Sequence, residues 1–183
     1  MQKTIIGALV GAIILFLWQF LSFGVINLHS SQMAYSPQQD AVMQAMADAN
    51  LEEGEFFMPM PPPSASEAEM QEHRTQMEGK PWALVKYRKA YHDTMAMNMI
   101  RGLAVDFIAV FLLCWMLGKM SGLNLQTTVM VSVAVGLIGY LSIVYIDGVW
   151  FEGSTIPDLI DAIVAWGLIG GWLGWWMNRG KQG

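Results

Sequence analysis

Four stretches of this chain are apolar for as long as a lipid bilayer is thick, and that limits the fold more than any other feature. They cover residues 4–26, 98–118, 125–146 and 156–177. A bilayer core about 30 Å thick needs roughly 20 helical residues to cross it. Lipid offers no partner to a bare N–H or C=O, so each stretch has to close its own backbone hydrogen bonds as a helix. The composition agrees: 14% of the residues are charged, where soluble domains carry about 25%. The sequence therefore predicts an all-α, four-helix transmembrane bundle. The first stretch follows Lys3 and lacks a small-x-small cleavage signal, so it reads as an uncleaved anchor.

Charge sets the direction of crossing. The short segments at 1–3, 118–124 and 178–183 hold Lys3, Lys119, Arg179 and Lys181 and no acid. All 15 Asp and Glu residues lie in the long second segment, in the 147–155 loop, or in the opposite halves of the helices. Basic loops stay inside, so both termini are expected in the cytoplasm of a bacterial cell, with the protein multi-pass in its inner membrane.

Residues 27–97 then form a Met-rich extracytoplasmic insertion between the first two spans, expected to be a small helical cap. Ser36-Pro37 opens one helix, with proline in the first turn, and Gly54–Pro63 cannot be helical. Ser64 or Ser66 opens a second helix, with Ser64 and Glu67 at capping-box spacing. A third is expected from Lys80-Pro81 onward, running into the second span.

Nine of the 15 methionines fall between Met33 and Met97. Thioethers are soft ligands that suit Cu(I) and need no deprotonation. On a continuous helix His92, Met95 and Met99 share a face, with Met97 beside them, so these four residues are a candidate copper set. Against it stands the ordinary use of methionine as an adaptable packing side chain.

A second candidate set consists of Gln19, Arg101, Asp106, Asp158 and Asp161, at similar depth near the outer ends of the helices. An ionisable group at the bilayer centre costs at least about 2.5–3.5 kcal/mol, so it should face the bundle interior and find a partner. Arg101 is expected to reach Asp158 or Asp161 across helices. The functional reading is a proton or cation site; the structural reading, which we favour, is a buried polar clamp. Thr155-Ile156-Pro157-Asp158 has the form of a capping box. Gly7 and Gly11 in the first span, and Gly167, Gly170, Gly171 and Gly174 in the fourth, give the small-xxx-small spacing of close helix packing. Trp172, Trp175 and Trp176 read as an interfacial anchor.

No P-loop, nucleophile elbow, zinc-protease motif or nucleic-acid-binding face is present, and the one cysteine, Cys114, excludes an intrachain disulfide. The runs Leu17-Trp18-Gln19-Phe20, Trp150-Phe151-Glu152 and Gly171-Trp172-Leu173-Gly174-Trp175-Trp176 resemble those of small four-span bacterial inner-membrane proteins of uncharacterised activity. The resemblance covers the helices and implies the fold alone. The reading that follows is a non-enzymatic accessory or interaction protein, in contact with lipid and with a membrane-protein partner or further copies of itself. Its rivals are an extracytoplasmic Cu(I)-handling protein and a small proton- or cation-coupled transport component.

Overall fold

The computed structural model describes residues 2–179. Met1 and residues 180–183, including Lys181 of the basic tail, lie outside it. The chain divides into two compact units, one formed by 1–34 and 94–183 and the other by Tyr35–Asp93.

The first unit is helical. Helix α1 (Gln2–Phe20) continues through a wider π-helical turn, Leu21–Val25, and a short 3₁₀ turn follows at Leu28–Ser31. The other long helices of this unit are α4 (Met95–Leu117), α5 (Leu125–Gly139) and α7 (Ile156–Asn178). Helix α5 passes through a second π-helical stretch, Tyr140–Tyr145, into α6 (Ile146–Phe151). The four candidate spans are Gln2–Val25, Met95–Leu117, Leu125–Phe151 and Ile156–Asn178. All are long and apolar enough to cross a membrane, which supports a multi-pass membrane protein. The third span includes residues up to Phe151 that were expected in a loop. Val149 and Trp150 let an apolar helix continue there, until Glu152 adopts a left-handed backbone with φ of 54°.

Helices α1 and α7 form the centre of this unit. Helix α4 packs on α1 and α5 packs on α7, while α4 and α5 barely meet. The core between them comprises Ala8 and Leu15 of α1, Val110, Leu113, Cys114 and Leu117 of α4, and Ala165, Ile169 and Leu173 of α7. Outward-facing side chains are also apolar, as Ile5, Leu9, Ile13, Ile108, Leu112 and Ile138 show. A helix apolar all round belongs in a lipid environment.

Close approach explains the glycines. A methyl group on Gly170 would lie 2.8 Å from the Val129 Cα on α5, and one on Gly11 would lie 2.7 Å from Val110 Cγ1 on α4. The first of these meets backbone, which cannot swing aside.

The second unit is not all helical, and here the expected helical cap is corrected. Strand β1 (Gly54–Met58) pairs antiparallel with β2 (Ala83–Tyr87), with Phe56 opposite Val85. Two helices, α2 (Gln39–Asp48) and α3 (Glu67–Met77), complete the unit. The segment expected to be a third helix is therefore a strand at Ala83–Tyr87 and irregular from there to Thr94, and becomes helical only at Met95. Leu84, Val85 and Tyr87 favour a pleated surface, and Glu55 stands opposite Lys86 with a 3.4 Å ion pair across the strands. Phe57 stacks on Trp82 at 5.4 Å. Ser66, rather than Ser64, caps α3: its hydroxyl accepts from the Glu69 amide, and the Glu69 carboxylate accepts from the Ser66 amide.

Gly170→Ala should force α5 away from α7 and lower stability by about 1–3 kcal/mol, the usual range for overpacking. Gly171, whose added methyl would meet nothing within 4 Å, is the control. Thermal unfolding of both alanine variants in nanodiscs should show a lower transition for Gly170→Ala alone.

Candidate functional site

The polar side chains of the first unit gather where α1 ends and α7 begins, and Asp161 is their focus. Its Oδ1 accepts from Trp18 Nε1 at 2.9 Å and from Ser22 Oγ at 2.8 Å; its Oδ2 lies 2.9 Å from His29 Nε2. Ser22 reaches it from the π-helical turn, where Ile26 N–H bonds to the Leu21 carbonyl five residues back. That extra residue per turn is a frequent mark of functional positions in helices. Asn27 then takes a left-handed conformation, φ 54°, which asparagine tolerates better than most residues. The turn brings His29 back against α7, where it is 4% exposed and stacked on Phe23 at 3.7 Å.

The protonation of His29 follows from its neighbours. Gln32 Nε2 donates to the Ser154 carbonyl at 2.7 Å and to Asp158. A carbonyl can only accept, so the Gln32 amide is fixed with Oε1 toward His29 Nδ1, 2.6 Å away. Both imidazole nitrogens therefore face acceptors, an arrangement that suits the doubly protonated ring. Burial opposes that charge, but the hydrogen bonds to Gln32 and Asp161 and the charges of Asp161 and Asp158 outweigh it. They hold the pKa above the ordinary 6.5.

Asp106 is separate from this cluster. It is 5% exposed on α4, and its Oδ1 accepts from Gln19 Nε2 at 3.1 Å. Its Oδ2 is buried without a hydrogen-bond partner among the described residues, a state that carries a desolvation cost. Gln19 also lines a cleft of about 390 Å³ with Trp18, His29, Asp158, Asp161 and Trp166, so it stands between the two carboxylates.

Of the five residues expected to cluster, Gln19, Asp158 and Asp161 line one cleft, Asp106 is linked to it only through Gln19, and the fifth is not brought there. Arg101 is exposed on α4, and the cation that meets Asp161 is His29. Nothing in the sequence pairs His29 with Asp161, 132 residues away; the only local signal is Asn27, a residue suited to a reversing turn. Thr155 forms no capping box, because its hydroxyl pairs with Tyr140 at 3.0 Å. The copper candidates are not joined on one helix face either. His92 precedes α4, which starts at Met95, and Met95, Met97 and Met99 are all exposed.

At the other end of α1 and α7, Trp172 and Trp176 join the two helices. Their indoles donate to the Gly7 and Lys3 carbonyls at 3.0 and 2.8 Å, and Lys3 Nζ donates to the Arg179 carbonyl at 2.7 Å. Among the described residues, no group of three or more His, Cys, Asp or Glu side chains is placed to hold a metal ion. Comparison with known protein families, curated proteins and solved structures returned no match.

Two substitutions separate a structural clamp at Asp161 from a titrating site at Asp106. Asp161→Asn leaves charged His29 without its carboxylate and should cost on the order of 2 kcal/mol, as lost charge-assisted bonds do. Asp106→Asn retains an acceptor for Gln19 and should stay within about 1 kcal/mol of wild type. Denaturant unfolding in nanodiscs measures both, and the reverse order would refute the clamp.

Stability should also depend on pH through His29. Its folded pKa is raised, so its contribution is complete below about 6.5, the unfolded value. It is lost as pH rises from there through the folded value. The melting temperature of wild type should fall across that window, and the fall should be smaller in His29→Gln.

Proposed function

We propose that this chain is a non-enzymatic accessory protein of a bacterial cytoplasmic membrane. Both termini are cytoplasmic, and the Tyr35–Asp93 unit is the outward, partner-binding part. The charge pattern of the short segments supports the orientation. The observation that carries the interaction role is α2. This helix of 10 residues has no buried residue, and Val42 and Met43 are exposed on it. Isolated helices this short are marginal in water, so α2 gains its stability from a surface supplied by another protein. The bundle's polar groups supply the complement to this reading: Asp161, His29, Trp18 and Ser22 are engaged with one another and hold helices together.

Native mass spectrometry of the full chain, taken from its own membrane in nanodiscs, tests this. A stoichiometric second protein is expected with wild type and should be lost in Val42→Asp/Met43→Asp, whose melting temperature should match wild type. A wild-type species that carries no other protein would exclude the accessory role. The orientation is tested separately in a Cys114→Ala background. An impermeant maleimide should label Ser66→Cys in intact cells, and Ser121→Cys only after permeabilisation.

A further inference from the structure

Methionines also gather on α3, and none of them belongs to the candidate copper set of His92, Met95, Met97 and Met99. Met70, His73 and Met77 follow one another at i, i+3 and i+7, one face of a helix, and all three line a cleft of about 390 Å³. Met60 lines the same cleft from the loop that follows β1. Three thioethers and one imidazole thus surround one space.

Packing accounts poorly for Met60. It is 72% exposed, so it fills no core, and Pro59 and Pro61 on either side restrict the backbone that carries it. A flexible side chain held out on a rigid loop, above a helix face with two more thioethers, is placed to receive something soft.

We infer that Met60, Met70, His73 and Met77 form a binding site for a soft monovalent cation, Cu(I). Thioether and neutral imidazole donors match that ion and discriminate against Mg²⁺, Ca²⁺ and Mn²⁺, which take oxygen ligands. Met60 and His73 also border a second cleft that contains Glu69 and Glu72, whose charges offset Arg74 at the first. Ligands that need no deprotonation and cannot be oxidised to disulfides suit an oxidising compartment. That point rests on the outward placement of the unit proposed above; the donor set itself does not.

The test is Cu(I) transfer from a chromophoric chelator under reducing, anaerobic conditions, to the full chain in nanodiscs. Wild type is expected to take one equivalent. Met60→Leu/Met70→Leu/Met77→Leu keeps side-chain volume and should weaken binding at least hundredfold, with an unchanged circular dichroism spectrum. His73→Ala should weaken it about tenfold and remove nitrogen scattering from the copper X-ray absorption spectrum. Met95→Leu/Met97→Leu/Met99→Leu should bind as wild type does. Failure of wild type to take copper from the chelator would overturn the site, as would full binding by the first triple variant or loss of binding in the second. None of these results bears on the labelling pattern that tests orientation, nor on capture of a partner through α2.

Discussion

A carboxylate in a helix that faces lipid has to be met by donors, and the contacts where α1 ends and α7 begins follow from how Asp161 meets this requirement. One oxygen takes the Trp18 indole and the Ser22 hydroxyl, and the other takes His29. Three donors from two consecutive pieces of chain thereby fix the end of α1 against the start of α7. The π-helical turn and the left-handed Asn27 are the local distortions that make it geometrically possible for Ser22 and His29 to reach the same residue. Hydrocarbon packing alone could slide one helix along another by a turn at little cost, whereas the donors of Asp161 fit one register.

The far end of the same helix pair is held by different chemistry. There the donors are indoles and the acceptors are backbone carbonyls, Trp172 to Gly7 and Trp176 to Lys3. A helical carbonyl can accept a second bond without giving up its own, and glycine at position 7 removes a side chain that would press on the Trp176 indole, 3.1 Å from an added methyl. The pair is thus fixed at both ends and packed by small residues, Ala8 and Ala12 against the rest of the core, in between. Helices α4 and α5 are added to this pair from either side.

Much of this is legible in the sequence, for reasons specific to membranes. Apolar length and the positions of Lys and Arg are read without knowing any contact, so the four helices follow from the residues alone. Asp106 and Asp161 are legible as acids that need partners because they interrupt those runs, and Gln19, which meets Asp106, is legible among the candidates beside them. The partner of Asp161 is not. Arg101 is the natural choice by charge, but it sits on the exposed side of α4, and the residue that meets Asp161 comes from a turn whose geometry depends on Asn27. The β1–β2 pair is hidden for a related reason. Residues 82–91 carry apolar side chains at spacings that fit either a helix or a strand, and only a partner strand some 30 residues earlier, Gly54–Met58, decides between the two.

The central pairing of α1 with α7 also has a consequence for the order of events in synthesis. Helix α1 leaves the ribosome well before α7, which carries its main polar partner. His29 and Asp161 are separated by 132 residues, a gap that takes on the order of ten seconds to translate at about 5–20 residues per second. Through that interval Trp18 and Ser22 are in the membrane without the carboxylate that will receive them, with α4 as the only long neighbour. These four helices come together only when α7 inserts between α1 and α5, so this later helix closes the bundle as a keystone closes an arch.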